Sequence, residues 1–414
     1  RQDDEALVVD VRTAAADLGR SQLRLHGQAR LAPHAPAAPH RPWPPPGLEE
    51  LRARCDVLLV PDEPLRAAVP GLAPLCDRAG LAGALRVGAD LAASPEGLTV
   101  HSRFDASALA LAVRVEGLPA PAAAKPADLP AAGEMQLSVP ADLSRVHVNH
   151  FEWRAGGVRL LASGALRLAR AAGGVPASLE GLDGQLALEV PNLEEARAMA
   201  PFLEEYSPRG AAFAEMRFRW APGEALHVPF VTLRLDGAEG RYRERTVAAA
   251  GQISLRDVRL AADAAPRVAR AQTDGLELRL DENLGWVVAD LSDLPDRPSG
   301  SFHLLGDRID VDEVRSWLAP AAPAEGEPRK LTQEQTEALA DRADRLLAAA
   351  RPCLLEADLT GRVSLRELRT HDPAVGQDYV ARHVELHASL SRGRARIRYA
   401  AGLNGGTIHD RYDV

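Results

Sequence analysis

The chain has 414 residues, of which 4% are aromatic, and a formal net charge of −9. That length exceeds one ordinary compact domain, and so few large anchors, beside a hydrophobic fraction swollen by Ala, suit thin layers, repeats or an extended sheet better than one large globule. Arg is scattered among Asp and Glu, and Lys occurs only at Lys125 and Lys330, so no basic block forms and nucleic acid is excluded as a partner.

Residues 1–118 read as an N-terminal β-rich module. Apolar and polar residues alternate over 6–11 and 21–27, the period of half-buried strands. The Pro-rich stretch 33–47 predicts a loop. A helical stretch is predicted over 48–54, a strand over 56–60 and a short helix over 65–76. Alternation resumes at Gly83, with further strands around 99–104 and 108–115. The Ala/Pro-rich segment 119–133 predicts a linker.

Residues 134–318 form a central run of strand candidates, over 135–139, 145–153, 158–162, 165–169, 185–190, 215–220, 230–235, 251–255, 276–280 and 286–291. Gly, Asp, Asn and Pro separate them at hairpin and meander spacing. A helix is predicted over 192–206, with Asn192 as its N-cap and Glu194 and Glu195 in its first turn, and a short one over 312–318. A second linker, 319–330, leads to a long helix over 331–352, capped by Thr332 and Gln335 and stopped at Pro352. Its apolar stripe predicts packing on a sheet face or over a groove. Strands over 356–365, 383–390 and 395–400 fill the last module, 353–414.

A loose repeat runs through this pattern: a short amphipathic helix with Pro near its end, then a Gly-containing strand. Its copies start at Pro64, Asn192 and Asp312, the last meeting its strand at Leu359 only after the long helix. Together these features predict a mainly β fold with short helices (α+β): an elongated, curved, mostly antiparallel sheet or groove of repeated helix-plus-strands modules.

Residues 354–406 carry a resemblance to a known family. The phrases Leu359-Thr-Gly361-Arg-Val-Ser-Leu365, the alternating segments 384–390 and 395–400, and Leu403-Asn-Gly-Gly-Thr407 resemble the C-terminal region of AsmA-like proteins. The phrase from Gly306 to Leu318 resembles the strand-into-helix segment upstream of it in that family. The match covers about a quarter of the chain. The resemblance implies no catalytic signature, and a periplasmic β-groove that moves phospholipid or other acyl-chain lipid between membranes or serves outer-membrane assembly. It also implies an inner-membrane anchor and envelope protein partners. Neither a signal peptide nor a membrane-spanning apolar run is present, and the chain starts at Arg1, so it reads as a piece of a longer protein whose anchor lies outside it.

The candidate groove residues are apolar strand positions: Leu186, Leu188, Val190, Phe218, Val231, Leu233, Leu235, Val384, Leu386 and Leu390. The same residues fit a sealed core against a second layer, in a β-rich scaffold or adhesin that binds protein or glycan on its polar face. His383, Glu385 and His387 share one side of a regular strand and are weak candidate metal ligands, set against a solvated polar face as the plainer reading. His101, His147, His150 and His409 stand alone in the sequence. Asp307, Asp310 and Asp312 suggest calcium but lack the spacing of a calcium-binding loop, and a strand end running into a helix cap accounts for them. Nucleophile-elbow, phosphate-loop and zinc-protease motifs are missing, so the chain reads as non-enzymatic, with no cofactor. Cys55 and Cys76 either pair in an oxidising compartment or, with Cys353, are separate thiols.

Overall fold

A computed structural model describes residues 7–32, 48–68, 72–113, 123–170, 176–242, 245–261, 266–318, 355–372, 377–403 and 406–413. Strand makes up 76% of it and helix 8%, so the fold is mainly β with short helices, and its strands pair mostly antiparallel. The chain divides into two compact units, Arg1–His227 and Val228–Val414. No helix among the described residues is long and apolar enough to cross a membrane.

The first unit runs β1 (Leu7–Leu18), β2 (Ser21–Leu31), β3 (Leu48–Leu59), α1 (Glu63–Ala68), α2 (Leu72–Ala79), β4 (Ala82–Gly83), β5 (Leu85–Ser94), β6 (Gly97–Asp105), β7 (Leu109–Val113) and β8 (Ala123–Lys125). It continues through β9 (Ala131–Pro140), β10 (Arg145–Ala155), β11 (Val158–Arg170), β12 (Pro176–Val190), α3 (Leu193–Ala196), a 3-10 turn (Pro201–Tyr206) and β13 (Arg209–Trp220). Ten strands pair in the antiparallel order β1-β2-β3-β5-β6-β9-β10-β11-β12-β13. Strands β4, β7 and β8 make a small separate sheet.

Tight turns set this meander. Gly156 and Gly157 join β10 to β11 with φ of 51° and 74°, the signature of a type I′ turn, whose twist suits flanking strands. At Gly19, φ is +61° and an added Cβ would lie 2.5 Å from a carboxylate oxygen of Asp62, so the β1–β2 hairpin requires glycine there.

Strand β14 (Leu226–Tyr242) crosses the boundary between the units. The second unit continues with β15 (Arg245–Leu260), β16 (Arg267–Leu280), β17 (Asn283–Leu294), β18 (Ser299–Asp310), α4 (Val311–Leu318), β19 (Asp358–Asp372), β20 (Gln377–Ser391), β21 (Arg394–Leu403) and β22 (Gly406–Asp413). Neighbours from β15 to β22 pair antiparallel, except β18 and β19, which are parallel. A parallel pair needs a crossover, and α4 starts it.

The expected helices sit where the repeat places them, between β3 and β5, between β12 and β13, and between β18 and β19. Four expectations need correction. Residues 48–54 are strand, not helix: Leu51, Ala53, Cys55 and Val57 alternate with exposed Glu50, Arg52, Arg54 and Asp56, and pairing with β2 and β5 overrides the local helical propensity. The expected linker 119–133 holds β8 and the start of β9, because Lys125 is pinned there by three backbone carbonyls. The helix expected over 192–206 stops after Ala196 and restarts as a 3-10 turn at Pro201, which lacks the N–H that continuation requires. The strands expected over 158–162 and 165–169 are one, β11, carried through Gly164 by its pairing with Gly184. Asn192 does cap α3, accepting from the Glu194 N–H at 3.0 Å. The loop expected over 33–47, the linker 319–330 and the long helix 331–352 lie outside the described residues.

Candidate functional site

Directly paired residues on adjacent strands project to the same face, so the register assigns every strand residue to one side. Followed across the first unit, one face is apolar in row after row. One such row reads Ala14, Leu25, Cys55, Ala89 and Ser102, then Met135, Phe151, Ala162, Leu186 and Met216. Rows on the opposite face hold Arg24, Asp56, Arg103, Glu134, Glu152, Arg159 and Glu189. The second unit has an apolar row too, Ala289, Phe302, Gly361, Ala388 and Ile397, but its other face mixes Trp286, Val288 and Leu305 with His303, Ser364 and Glu385.

Most of this apolar surface is uncovered by a second layer among the described residues. Leu23 is 41% exposed and Phe302 39%, whereas side chains facing a sandwich core would be almost fully buried. Parts are covered, among them Leu365 and Val384 in the second unit and one end of the first unit's sheet. There Ala106, Ala131, Ala155 and Met199 are buried, with Leu85, Leu109, Leu129, Trp153 and Val158 packed around them. Lys125 belongs to this plug. It is 1% exposed, and its Nζ donates to the carbonyls of Ser107 (3.1 Å), Leu109 (2.7 Å) and Pro126 (3.0 Å). Desolvation holds its pKa below the usual lysine value.

Leu186, Leu188 and Val190 lie on the apolar face of β12, opposite Met216, Ala214 and Ala212, and Phe218 faces Gly184. Val190 is buried and the other three are half-buried. Val231, Leu233 and Leu235 are half-buried and alternate along β14 with Thr232 and Arg234. In the second unit Val384, Leu386 and Leu390 face Leu365, Val363 and Leu359, with Val384 buried and the other two half-buried.

A recess of about 1460 Å³ lies on the other face. Its wall includes Arg24, Arg86, Arg103, Glu134, Arg154 and Arg159, and none of the candidate groove residues lines it. Pocket shape therefore does not follow hydropathy in this sheet.

The expected trio His383, Glu385 and His387 does not bring three ligand atoms together. A bulge in β20 falls between Arg382 and Glu385, and His383 takes φ of +53°, which breaks the alternation that would align the three. Glu385 is already engaged, accepting from Arg362 Nε at 3.0 Å and Ser364 Oγ at 2.9 Å, and Arg362 holds its carboxyl below the usual range. The Asp trio is explained by local contacts: Asp310 accepts from the N–H groups of Asp312 and Glu313 as the cap of α4, Asp307 pairs with Arg366, and Asp312 accepts from the His371 N–H. Cys55 and Cys76 are separate free thiols, and burial pushes the Cys55 thiol up; Cys353 lies outside the described residues.

His101 and His150, isolated in the sequence, meet beside Glu134 on the charged face. The signal was present: His150-Phe151-Glu152 puts two potential ligands on one side of a strand. Their cross-strand partner was not readable without the register. Compared with known proteins, the chain matches no protein-family model and no curated protein. What fold and site define is a class: a mainly antiparallel β-sheet protein whose first unit has one apolar and one charged face.

Proposed function

We propose that the chain is a non-enzymatic, AsmA-like periplasmic module whose apolar sheet face carries acyl chains of phospholipid between membranes or during outer-membrane biogenesis. One observation carries the reading. Apolar side chains form continuous rows across paired strands, yet Leu23, Leu278 and Phe302 remain about 40% exposed. Soluble monomers rarely expose contiguous apolar surface of this extent without a ligand or partner for it. Acyl chains fit because each buried CH₂ contributes about 0.8 kcal/mol with no polar group to orient it. Lipid binding by alternating strand residues also needs no catalytic motif.

The test is native mass spectrometry after expression in a bacterial periplasm, with organic extraction of the same sample. Phospholipid is expected to co-purify, and to be lost from the Leu186→Asp/Leu188→Asp variant while the circular dichroism spectrum is kept. A lipid-free mass that stays lipid-free after incubation with liposomes rejects the reading. The second reading, a scaffold or adhesin for protein or glycan, is favoured by the large recess on the charged face. It predicts lipid-free protein whose partner binding is lost on substituting Arg24 and Arg103.

A further inference from the structure

On the charged face of the first unit, three adjacent strands bring together residues far apart in the sequence. His101 of β6 and His150 of β10 both face Gln136 of β9, and Glu134 of β9 faces Glu152 of β10. A bulge in β10 between Val148 and His150 re-aims the chain so that His150 and Glu152 share this face. Two carboxylates directly opposite each other repel, and such a pair persists only with compensation.

The compensation is uneven. Glu152 is 8% exposed, and its Oε1 accepts from Arg154 and, at 2.9 Å, from Arg159, which also reaches Glu189 at 3.1 Å. Its Oε2 is left facing His150 Nε2 at 3.6 Å. Glu134 meets no Arg or Lys within ion-pair distance among the described residues; its two oxygens face His150 Nε2 at 3.4 Å and His101 Nε2 at 3.9 Å. His101 Nε2 is sealed from solvent and has no hydrogen-bond partner. The cluster thus holds one carboxylate without an Arg or Lys ion pair, a second one turned towards it, and one imidazole nitrogen, His101 Nε2, without a hydrogen-bond partner.

One ligand atom each from Glu134, His150 and Glu152 falls within 4.8 Å of the others. Ligands about 2.0–2.2 Å from a tetrahedral zinc ion lie roughly 3.3–3.6 Å from one another. The separations of 3.4 and 3.6 Å from His150 Nε2 already match that edge.

We propose that Glu134, His150 and Glu152 bind a divalent transition-metal ion of the zinc class, with His101 orienting the far oxygen of Glu134. Imidazole with carboxylate suits such ions rather than magnesium or calcium, which take oxygen ligands alone. The two guanidiniums on Glu152 Oε1 fix that carboxylate with Oε2 presented, the part outer-shell groups play in metal sites. Glu134 and Glu152 line the large recess and His101 an adjoining one, so the ion is reachable from solvent on this face. This site is independent of any lipid on the opposite face.

The experiment is calorimetric titration of the metal-stripped full chain with Zn²⁺, alongside visible absorption with Co²⁺. One ion per chain is expected, with Co²⁺ bands of nitrogen and oxygen coordination and no thiolate charge-transfer band. His150→Ala and Glu134→Gln are each expected to weaken Zn²⁺ binding at least about tenfold, and His101→Ala by about tenfold. His303→Ala, in the other unit, is expected to change nothing. Melting curves of the metal-free variants separate lost binding from lost folding, and the milder Glu134→Gln keeps the test open where His150→Ala unfolds. Absence of stoichiometric Zn²⁺ binding, a thiolate band, or unchanged affinity in folded His150→Ala or Glu134→Gln overturns the proposal.

Discussion

The ring of Phe302 in β18 lies over Gly361 of the neighbouring strand β19, so that a Cβ added at Gly361 would fall 2.3 Å from Phe302 Cζ. The same arrangement recurs in the first unit, where added Cβ atoms at Gly133 and Gly184 would lie 2.4 Å from Phe104 Cζ and 3.0 Å from Phe218 Cζ. A strand glycine leaves backbone bare, and a cross-strand aromatic covers it. Gly361 is also the glycine of the Leu359–Leu365 phrase, which gives that short motif a packing role.

Gly361→Val should therefore force the Phe302 ring aside and destabilise the second unit by about 1–3 kcal/mol, as overpacking does. Urea unfolding measures this. Because the clash is between two named groups, Phe302→Ala should relieve part of it, and the double variant should be more stable than the sum of the singles predicts.

Lys125→Met keeps the aliphatic stem but removes the donors to the Ser107, Leu109 and Pro126 carbonyls. Leaving buried acceptors without partners costs about 1–3 kcal/mol, and the lost stability should appear in denaturant melts. Hydrogen exchange should rise locally around β7 and β8, with β1–β3 unaffected.

Glu385 supplies a pH dependence whose sign is fixed. Arg362 depresses its folded-state pKa below the unfolded value, so its contribution is fully present above the ordinary glutamate range and is lost as pH falls through the folded-state value. The stability gap between the wild type and Glu385→Gln should be constant near neutrality and close on the acid side of about pH 4. Thermal melts across that range measure it; a gap that widens on acidification rejects the assignment.

The half-exposed apolar face can be probed without lipid. Leu23→Asp replaces a side chain that is 41% exposed, and should lower binding of a hydrophobic dye while changing stability little. Arg24→Asp, one residue on and on the other face, should leave dye binding unchanged.

Strand identity and the apolar or charged character of each strand's two sides were legible in the sequence, because successive side chains point to opposite faces and that alternation is local. Asn192 as a cap and the recurrence of helix before strand were legible for the same reason. Residues 48–54 misled because the Leu-Glu-Glu-Leu pattern is locally helical, and only pairing with β2 and β5 on both flanks makes it strand. The register was decided by the tertiary structure alone. A one-residue bulge moves a side chain to the other face, and nothing in His383-Val-Glu-Leu-His387 announces the bulge that separates His383 from Glu385. The meeting of His101, Glu134, His150 and Glu152 likewise depends on which strands are neighbours and where β10 bulges. Sequence determines what each strand offers to either side; cross-strand geometry determines which of those groups come within bonding distance.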